Sequence, residues 1–322
     1  MKFRTEIESI LPTAKIDYST KIFAVGSCFA QNIAQKLIQA KFKVNLCPTG
    51  ILFNPISIAT ALTNFTHLNA VNIERMVTRG DSFVSLDSHS CLAQATLDDA
   101  ISALNNAIAT GHKALSEANC VIITFGTAWV YQHIDTKEIV ANCHKQPQSD
   151  FIRRRLSVEE IITTFTPLME GILSDKHVIF TLSPVRHLSD GLTENSLSNA
   201  TLRLAIAELC SRFNNADYFP AYEIVTDDLR DYRFYADDLV HPSNQAIEYV
   251  WEKFTEAMFT ERTKQLLPKV MKIVTAATHR PFNSTSREYK EFCHKQLEAA
   301  MAIEEVDFSD ECAIFSQYSD KS

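Results

Sequence analysis

The chain has no stretch approaching the ~20 apolar residues that a membrane-spanning helix requires. Its opening, MKFRTEIESILPTAKIDYSTKIF, places Glu6 and Glu8 where a signal peptide needs an uninterrupted apolar run, so export is not expected. Long runs of one charge are missing too. Arg153-Arg154-Arg155 is the sole basic cluster, more typical of a solvated face, and the formal net charge is -8. Nucleic acid is therefore not an expected partner, because phosphate backbones call for clustered Lys and Arg. The eight cysteines (28, 47, 91, 120, 143, 210, 293, 312) stand singly with no CxxC pair, which argues against a zinc ribbon and a dithiol redox site. Without an export signal they are expected to be reduced thiols in the cytoplasm. There is no internal repeat and no low-complexity segment, and no spacing implies a metal or a cofactor.

What is present is an ordinary globular composition, 46% hydrophobic and 22% charged over 322 residues. That length suits one large domain, or a domain with a helical appendage. Lys21-Ile22-Phe23-Ala24-Val25 is a short apolar run ending at Gly26-Ser27, and behind it Phe29, Ile33 and Leu37 recur every fourth residue, a buried-face helix. Residues 42–46 lead into the loop Cys47-Pro48-Thr49-Gly50, and Asn54-Pro55 has the N-cap and first-turn chemistry of a helix start. A helical pattern over 97–115 runs into Cys120-Val121-Ile122-Ile123-Thr124-Phe125, and residues 177–182 form another continuous apolar run. Both fit strands covered on both faces. Helices are predicted over 195–213, on the stripe Leu202, Ile206 and Leu209, and after Pro242, where Ile247, Val250, Trp251, Phe254 and Met258 keep helical spacing. Strands alternating with helices predict an α/β fold over residues 1–261, a doubly wound, mostly parallel sheet between helical layers. Residues 262–322 read as a helical extension packed on it, with Thr285 and Glu288 at capping-box spacing ahead of Phe292, Leu297 and Met301, and a polar tail.

In a doubly wound sheet ligands sit beyond the carboxyl ends of the strands, so chemistry is sought at Gly26-Ser27, Thr49-Gly50, Gly126-Thr127 and residues 183–186. Ser27 closes the first strand and opens a helix, whose free N–H groups suit a developing oxyanion, and Gly26 permits the sharp turn. A serine hydroxyl needs a histidine to take its proton and a carboxylate to orient that histidine. Tyr235-Ala236-Asp237-Asp238-Leu239-Val240-His241-Pro242 offers a carboxylate three positions before a histidine, just ahead of the last core helix. Each signal alone is bland: a Gly-Ser turn is usually only a turn, and Asp-x-x-His is as often a surface cap. Order and context join them. Asp237 is the alternative acid, one residue too far for that spacing, and Cys28 reads as buried filler beside the serine.

Gly26-Ser27-Cys28-Phe29-Ala30 resembles the signature that names the GSCFA family, a branch of the SGNH (GDSL-like) hydrolase superfamily. Thr49-Gly50-Ile51-Leu52-Phe53-Asn54-Pro55, Phe125-Gly126-Thr127-Ala128-Trp129, Asn142-Cys143-His144-Lys145 and Ser183-Pro184-Val185-Arg186-His187 are similar to family blocks in the same order. So are residues 229–235 through His241-Pro242, and His279-Arg280-Pro281-Phe282 resembles a late element, so the resemblance covers most of residues 20–300. It implies a flavodoxin-like, three-layer α/β/α SGNH hydrolase fold, with Ser27 as nucleophile, His241 as general base and Asp238 as its orienting partner. It also implies an oxyanion hole from the Ser27 and Gly50 N–H groups and a group near Gly126-Thr127. SGNH enzymes carry Gly-x-Asn-Asp at that third block, and Gly126-Thr127-Ala128-Trp129 lacks the Asn. Losing one such donor costs about 3 kcal/mol of transition-state stabilisation. Either the Thr127 hydroxyl, Asn54 or Asn142 substitutes, or the enzyme is slow on generic esters.

Asn54 has a complete explanation as a helix cap, and His144 reads equally as a hydrogen-bonded loop residue or a pocket residue. Asn142, His144, Arg186 and His187 are candidate substrate contacts, Arg186 being suited to a carboxylate, phosphate or sugar hydroxyl. Trp129, Tyr232, Phe234 and Tyr235 read as packing. The expected activity is hydrolysis or transfer of a small-molecule or carbohydrate-linked acyl ester through an acyl-serine, without metal or cofactor. A non-catalytic glycan- or acyl-binding protein on the same scaffold is the alternative, and a scaffold docking a partner through residues 262–322 is a third reading. Assembly state stays open.

Overall fold

The structure is a computed structural model that describes residues 4–319 apart from 9, 280 and 285. At its centre lies a five-stranded, wholly parallel sheet of β1 (Lys21–Gly26), β2 (Lys43–Leu46), β3 (Cys120–Phe125), β4 (His177–Leu182) and β5 (Ala216–Phe219). Their spatial order is β2-β1-β3-β4-β5, the flavodoxin-like order, with its switch point between β1 and β3. The longer helices are, in chain order, α1 (Cys28–Gln39), α2 (Pro55–His67), α3 (Leu97–Glu117), α4 (Val158–Glu170), α5 (Gly191–Arg212), α6 (Asn244–Met258), α7 (Glu261–Thr278), α8 (Arg287–Met301) and α9 (Ser309–Ser316).

The strands carry apolar residues on both faces because both faces are covered. Phe23 and Val25 of β1, with Val121, Ile123 and Phe125 of β3, meet Ile58, Leu62, Leu104, Ile108, Ile161, Phe165 and Leu202 from α2 to α5. The alternate positions Ile22, Ala24, Cys120 and Ile122 meet Phe29, Ile33 and Leu37 of α1 and Val250 and Phe254 of α6. Three layers result, α/β/α. The same second core takes in Leu266, Val270 and Ile273 of α7, Cys293 and Ala300 of α8, and Phe315 of α9.

Local chemistry sets several boundaries. The Asn54 side chain accepts from Ser57 N–H at 2.8 Å with Pro55 in the first turn, so α2 starts where predicted. Ser286, which accepts from Tyr289 N–H, caps α8; the anticipated cap Thr285 and residue Arg280 lie outside the described residues. Helix α5 begins at Gly191, before the predicted start, because its buried stripe continues toward the N-terminus in polar residues, Asn195, Ser198 and Asn199. Two small antiparallel sheets were not expected: the pair Met76–Arg79 and Ser82–Ser85, and the trio Trp129–His133, Ile139–Val140 and Phe151–Arg155. The trio carries the basic cluster, and each arginine is engaged: Arg153 with Asp190, Arg154 with Glu160, Arg155 with the Thr201 hydroxyl.

No helix among the described residues is long and apolar enough to cross a membrane. All eight cysteines are free; burial pushes the Cys47 thiol up to about 11 and the Cys120 thiol up to about 12, while Cys91 is exposed.

Candidate active site

Strand β1 passes directly into α1 because residue 26 is glycine. Its φ is +134°, and a Cβ there would lie 2.1 Å from the Thr124 carbonyl oxygen of the neighbouring strand. Ser27 then occupies the N-cap of α1, with φ -67° and ψ 172°. A serine in that position ordinarily accepts a hydrogen bond from the first helical turn. Ser27 does not. Its side chain is fully buried, and its Oγ has no partner. A buried hydroxyl left unpaired costs about 1–3 kcal/mol.

The loop ahead of α6 builds a second piece. His241 Nδ1 lies 2.7 Å from Asp238 Oδ2, while Asp238 Oδ1 accepts the backbone N–H groups of Val240 and His241, each at 2.9 Å. Donation by the His241 backbone, then its ring, then the Val240 N–H holds the Asp238 carboxyl down at about 2. Leu239, at φ 60°, lets so short a loop turn back, and the Ala236 N–H closes it on the His241 carbonyl at 2.7 Å. Both side chains are about half exposed.

A third piece follows β4. The Arg186 N–H donates to the Val240 carbonyl at 3.2 Å, tying this loop to the one that carries His241. The next residue, His187, donates its backbone N–H to Asn195 Oδ1 at 2.9 Å and stands edge-on to Phe53 with ring centres 5.6 Å apart. Its Nε2 is buried without a partner. Gly126, directly after β3, borders both that atom and Ser27: a Cβ there would be 3.1 Å from Ser27 Cβ and 3.4 Å from His187 Nε2. Burial pushes the His187 imidazole below its ordinary pKa; the charges of Arg153 and His241 push the same way, and Asp190 opposes them. Ser27, His187 and the His241–Asp238 pair therefore gather at the carboxyl end of the sheet, beside the β1/β3 switch point. No hydrogen bond joins Ser27 Oγ to either histidine.

The family model described as "GSCFA family" matches residues 21–254. The chain belongs to the GSCFA family. A second model, "GSCFA domain protein, C-terminal domain", matches residues 270–319, from within α7 through α9. No curated protein and no solved structure matches the chain.

In this GSCFA-family protein the groups expected to form an oxyanion hole are engaged internally. The Ser27 N–H donates to the Thr124 carbonyl at 3.1 Å and the Gly50 N–H to the Cys47 carbonyl, also at 3.1 Å. The Gly126 and Thr127 N–H groups both donate to the Phe53 carbonyl, at 2.8 and 3.0 Å. The Thr127 hydroxyl sits 3.3 Å from Ser198 Oγ and accepts the Trp129 N–H at 3.1 Å, and the Asn54 amide bonds Ser57 through both its atoms. Helix geometry leaves the Cys28 and Phe29 N–H groups without an acceptor inside α1.

Asn142 and His144 are engaged with each other and with a neighbouring loop. Asn142 Oδ1 accepts the His144 N–H at 2.8 Å, and His144 Nε2 donates toward the Ser85 and Ser88 carbonyls at 2.9 and 3.1 Å, tying one loop to another. The Arg186 guanidinium lies over the Tyr235 ring at 4.1 Å and the Tyr232 ring at 5.0 Å. Sequence reasoning did not single out Asn195 and Ser198 of α5, or the Arg153–Asp190 pair beside His187. A cavity of about 440 Å³ lies elsewhere, walled by Thr49, Ile56, Phe65, Arg75, Ile108 and Arg154 among others; Ser27, His187 and His241 do not line it. Among the described residues no group of three or more His, Cys, Asp or Glu could hold a metal ion.

Proposed function

We propose that this protein is a serine-dependent ester hydrolase or acyltransferase of SGNH type, acting on a small-molecule or carbohydrate-linked acyl ester. The observation that carries the reading is the Ser27 hydroxyl, buried at a helix N-cap and yet unbonded. In the proposed reaction Ser27 Oγ attacks the ester carbonyl carbon while His241 Nε2 takes its proton. The proton passes to the departing alcohol as its C–O bond breaks, leaving an acyl-Ser27. Water or a second alcohol then attacks that acyl group with the same histidine as base, the acyl–Oγ bond breaks, and the histidine returns the proton to Ser27 as the acid or new ester leaves. Asp238 holds Nδ1–H and so leaves Nε2 as the accepting nitrogen. Exposed Leu188 and Leu239 on the loops after β4 and ahead of α6, with exposed Tyr232 under Arg186, suit an apolar acyl group. Because Ser27 is fully buried, substrate entry requires the segments packed around it to part. We place the reaction in the cytoplasm, where unpaired thiols persist.

A fluorophosphonate probe is expected to label the wild-type protein and not Ser27→Ala; equal labelling of both would remove Ser27 as nucleophile. A hydrolysis screen over O-acetyl sugars and short- and long-chain esters, with His241→Ala as control, then identifies the substrate class. The closed serine and the engaged donors favour a second reading, a glycan- or acyl-binding protein without turnover. Thermal stabilisation by a ligand, with no product from any ester, would support that instead.

A further inference from the structure

We infer that His187 is the side-chain donor of the oxyanion site, giving its Nε2–H to the oxygen that becomes negative when Ser27 attacks. This rests on the serine reading above and adds a side-chain donor to the free N–H groups at the start of α1. The Ser27, Gly50, Gly126 and Thr127 N–H groups and the Asn54 amide already have internal acceptors, so beside the free N–H groups at the start of α1 no side-chain donor expected from the sequence is at hand. His187 Nε2 is buried and has none, and it flanks the same point beside Gly126 that Ser27 flanks.

The spacing suits a donor to the adduct. The carbonyl oxygen of an adduct sits one atom beyond the carbon bonded to Oγ, so its donor must stand a few ångströms from the serine. Gly126 supplies that gap, because any side chain at this position would fill it: its Cβ would already be 3.1 Å from Ser27 and 3.4 Å from the imidazole. Its backbone is fixed by the N–H bond to Asn195 Oδ1, and its ring rests edge-on against Phe53. Preorganisation of this kind is what makes a donor useful, since nothing reorients as charge develops.

The charged and titratable groups facing His187 are Arg153, His241 and Asp190, and Asp190 is itself paired with Arg153. Burial, and after it the Arg153 guanidinium, favour the neutral ring, with Asp190 opposing them, and a neutral ring keeps one N–H to donate. Among the described residues no carboxylate bonds His187, whereas His241 has Asp238. The two histidines are thus differently equipped, one as base and one as neutral donor.

The test uses full-length His187→Ala and His187→Gln, with kcat, KM and pH–rate profiles on an ester the wild type turns over, and thermal melts to monitor folding. The Ala variant is expected to lose about 10²–10³-fold in kcat with KM nearly unchanged. The Gln variant, a donor that does not titrate, should recover about tenfold or more over Ala and keep the acidic limb of the profile. A folded Ala variant with wild-type kcat overturns the inference. So does a folded Gln variant no faster than Ala, and one without the acidic limb would make His187 the base. If Ala does not fold, Gln against wild type decides, and a Gln variant below about a hundredth of the wild-type rate overturns it. A wild type that neither turns over esters nor takes the fluorophosphonate overturns the serine reading itself, and this inference with it.

Discussion

Asp238 accepts three hydrogen bonds from two neighbouring residues, and this fixes its ionisation independently of any substrate. A carboxyl lowered to about 2 contributes stability that is present above the ordinary carboxylate range and lost only as pH falls through that value. Loss of activity on mild acidification would therefore report an imidazole and not this carboxylate. Asp238→Asn is expected to lower kcat by a large factor, on the order of 10⁴, with little change in melting temperature; activity retained within tenfold would show that the carboxylate does not orient a base. The parts of the site that were legible in the sequence are those carried by short local patterns: the glycine–serine turn and the Asp-x-x-His loop. His187 could be listed as a contact, but its meaning comes from Gly126 and Ser27, which only folding brings beside it. Asn195 and Ser198 could have been found by extending the Leu202, Ile206 and Leu209 stripe of α5 backwards, where the buried face turns from apolar to polar.

At the scale of elements, β1, β3 and β4 were readable because strands covered on both faces are continuously apolar, and α2 because Asn54-Pro55 specifies a helix start. The strands at 76–85 and 129–155 escaped notice for the converse reason: they are short, partly exposed and rich in polar residues. Asn54→Ala removes a buried cap and should lower stability by about 1 kcal/mol in chemical denaturation; an unchanged midpoint would count against the cap. Gly26→Ala should do more, about 1–3 kcal/mol or beyond, because the new methyl meets the Thr124 carbonyl and the backbone is in the left-handed half of φ. Hydrogen exchange is expected to place that damage along the β1–β3 register and the start of α1.

For the molecule as a whole, the parallel sheet and its layers follow from strands alternating with helices, while the strand order and the placing of α7 to α9 do not, since alternation does not say which strands are neighbours and an amphipathic helix does not say what it will cover. These helices complete the core that α1 and α6 begin. Each large apolar side chain uncovered by cutting the chain after residue 260 forfeits about 1.5–3 kcal/mol, against a total stability of about 5–15 kcal/mol for a typical domain. The truncated chain is expected to aggregate or melt far below the intact one; a truncation that keeps the wild-type melting temperature would make α7 to α9 a free appendage. Finally, the eight unpaired cysteines form a graded set, from exposed Cys91 to enclosed Cys47 and Cys120. Timed alkylation read by mass spectrometry therefore turns the protein into its own clock: Cys91 marks zero time, and Cys47, two residues from the Thr49 hydroxyl it touches, records how often the segment leading to Phe53 lifts away.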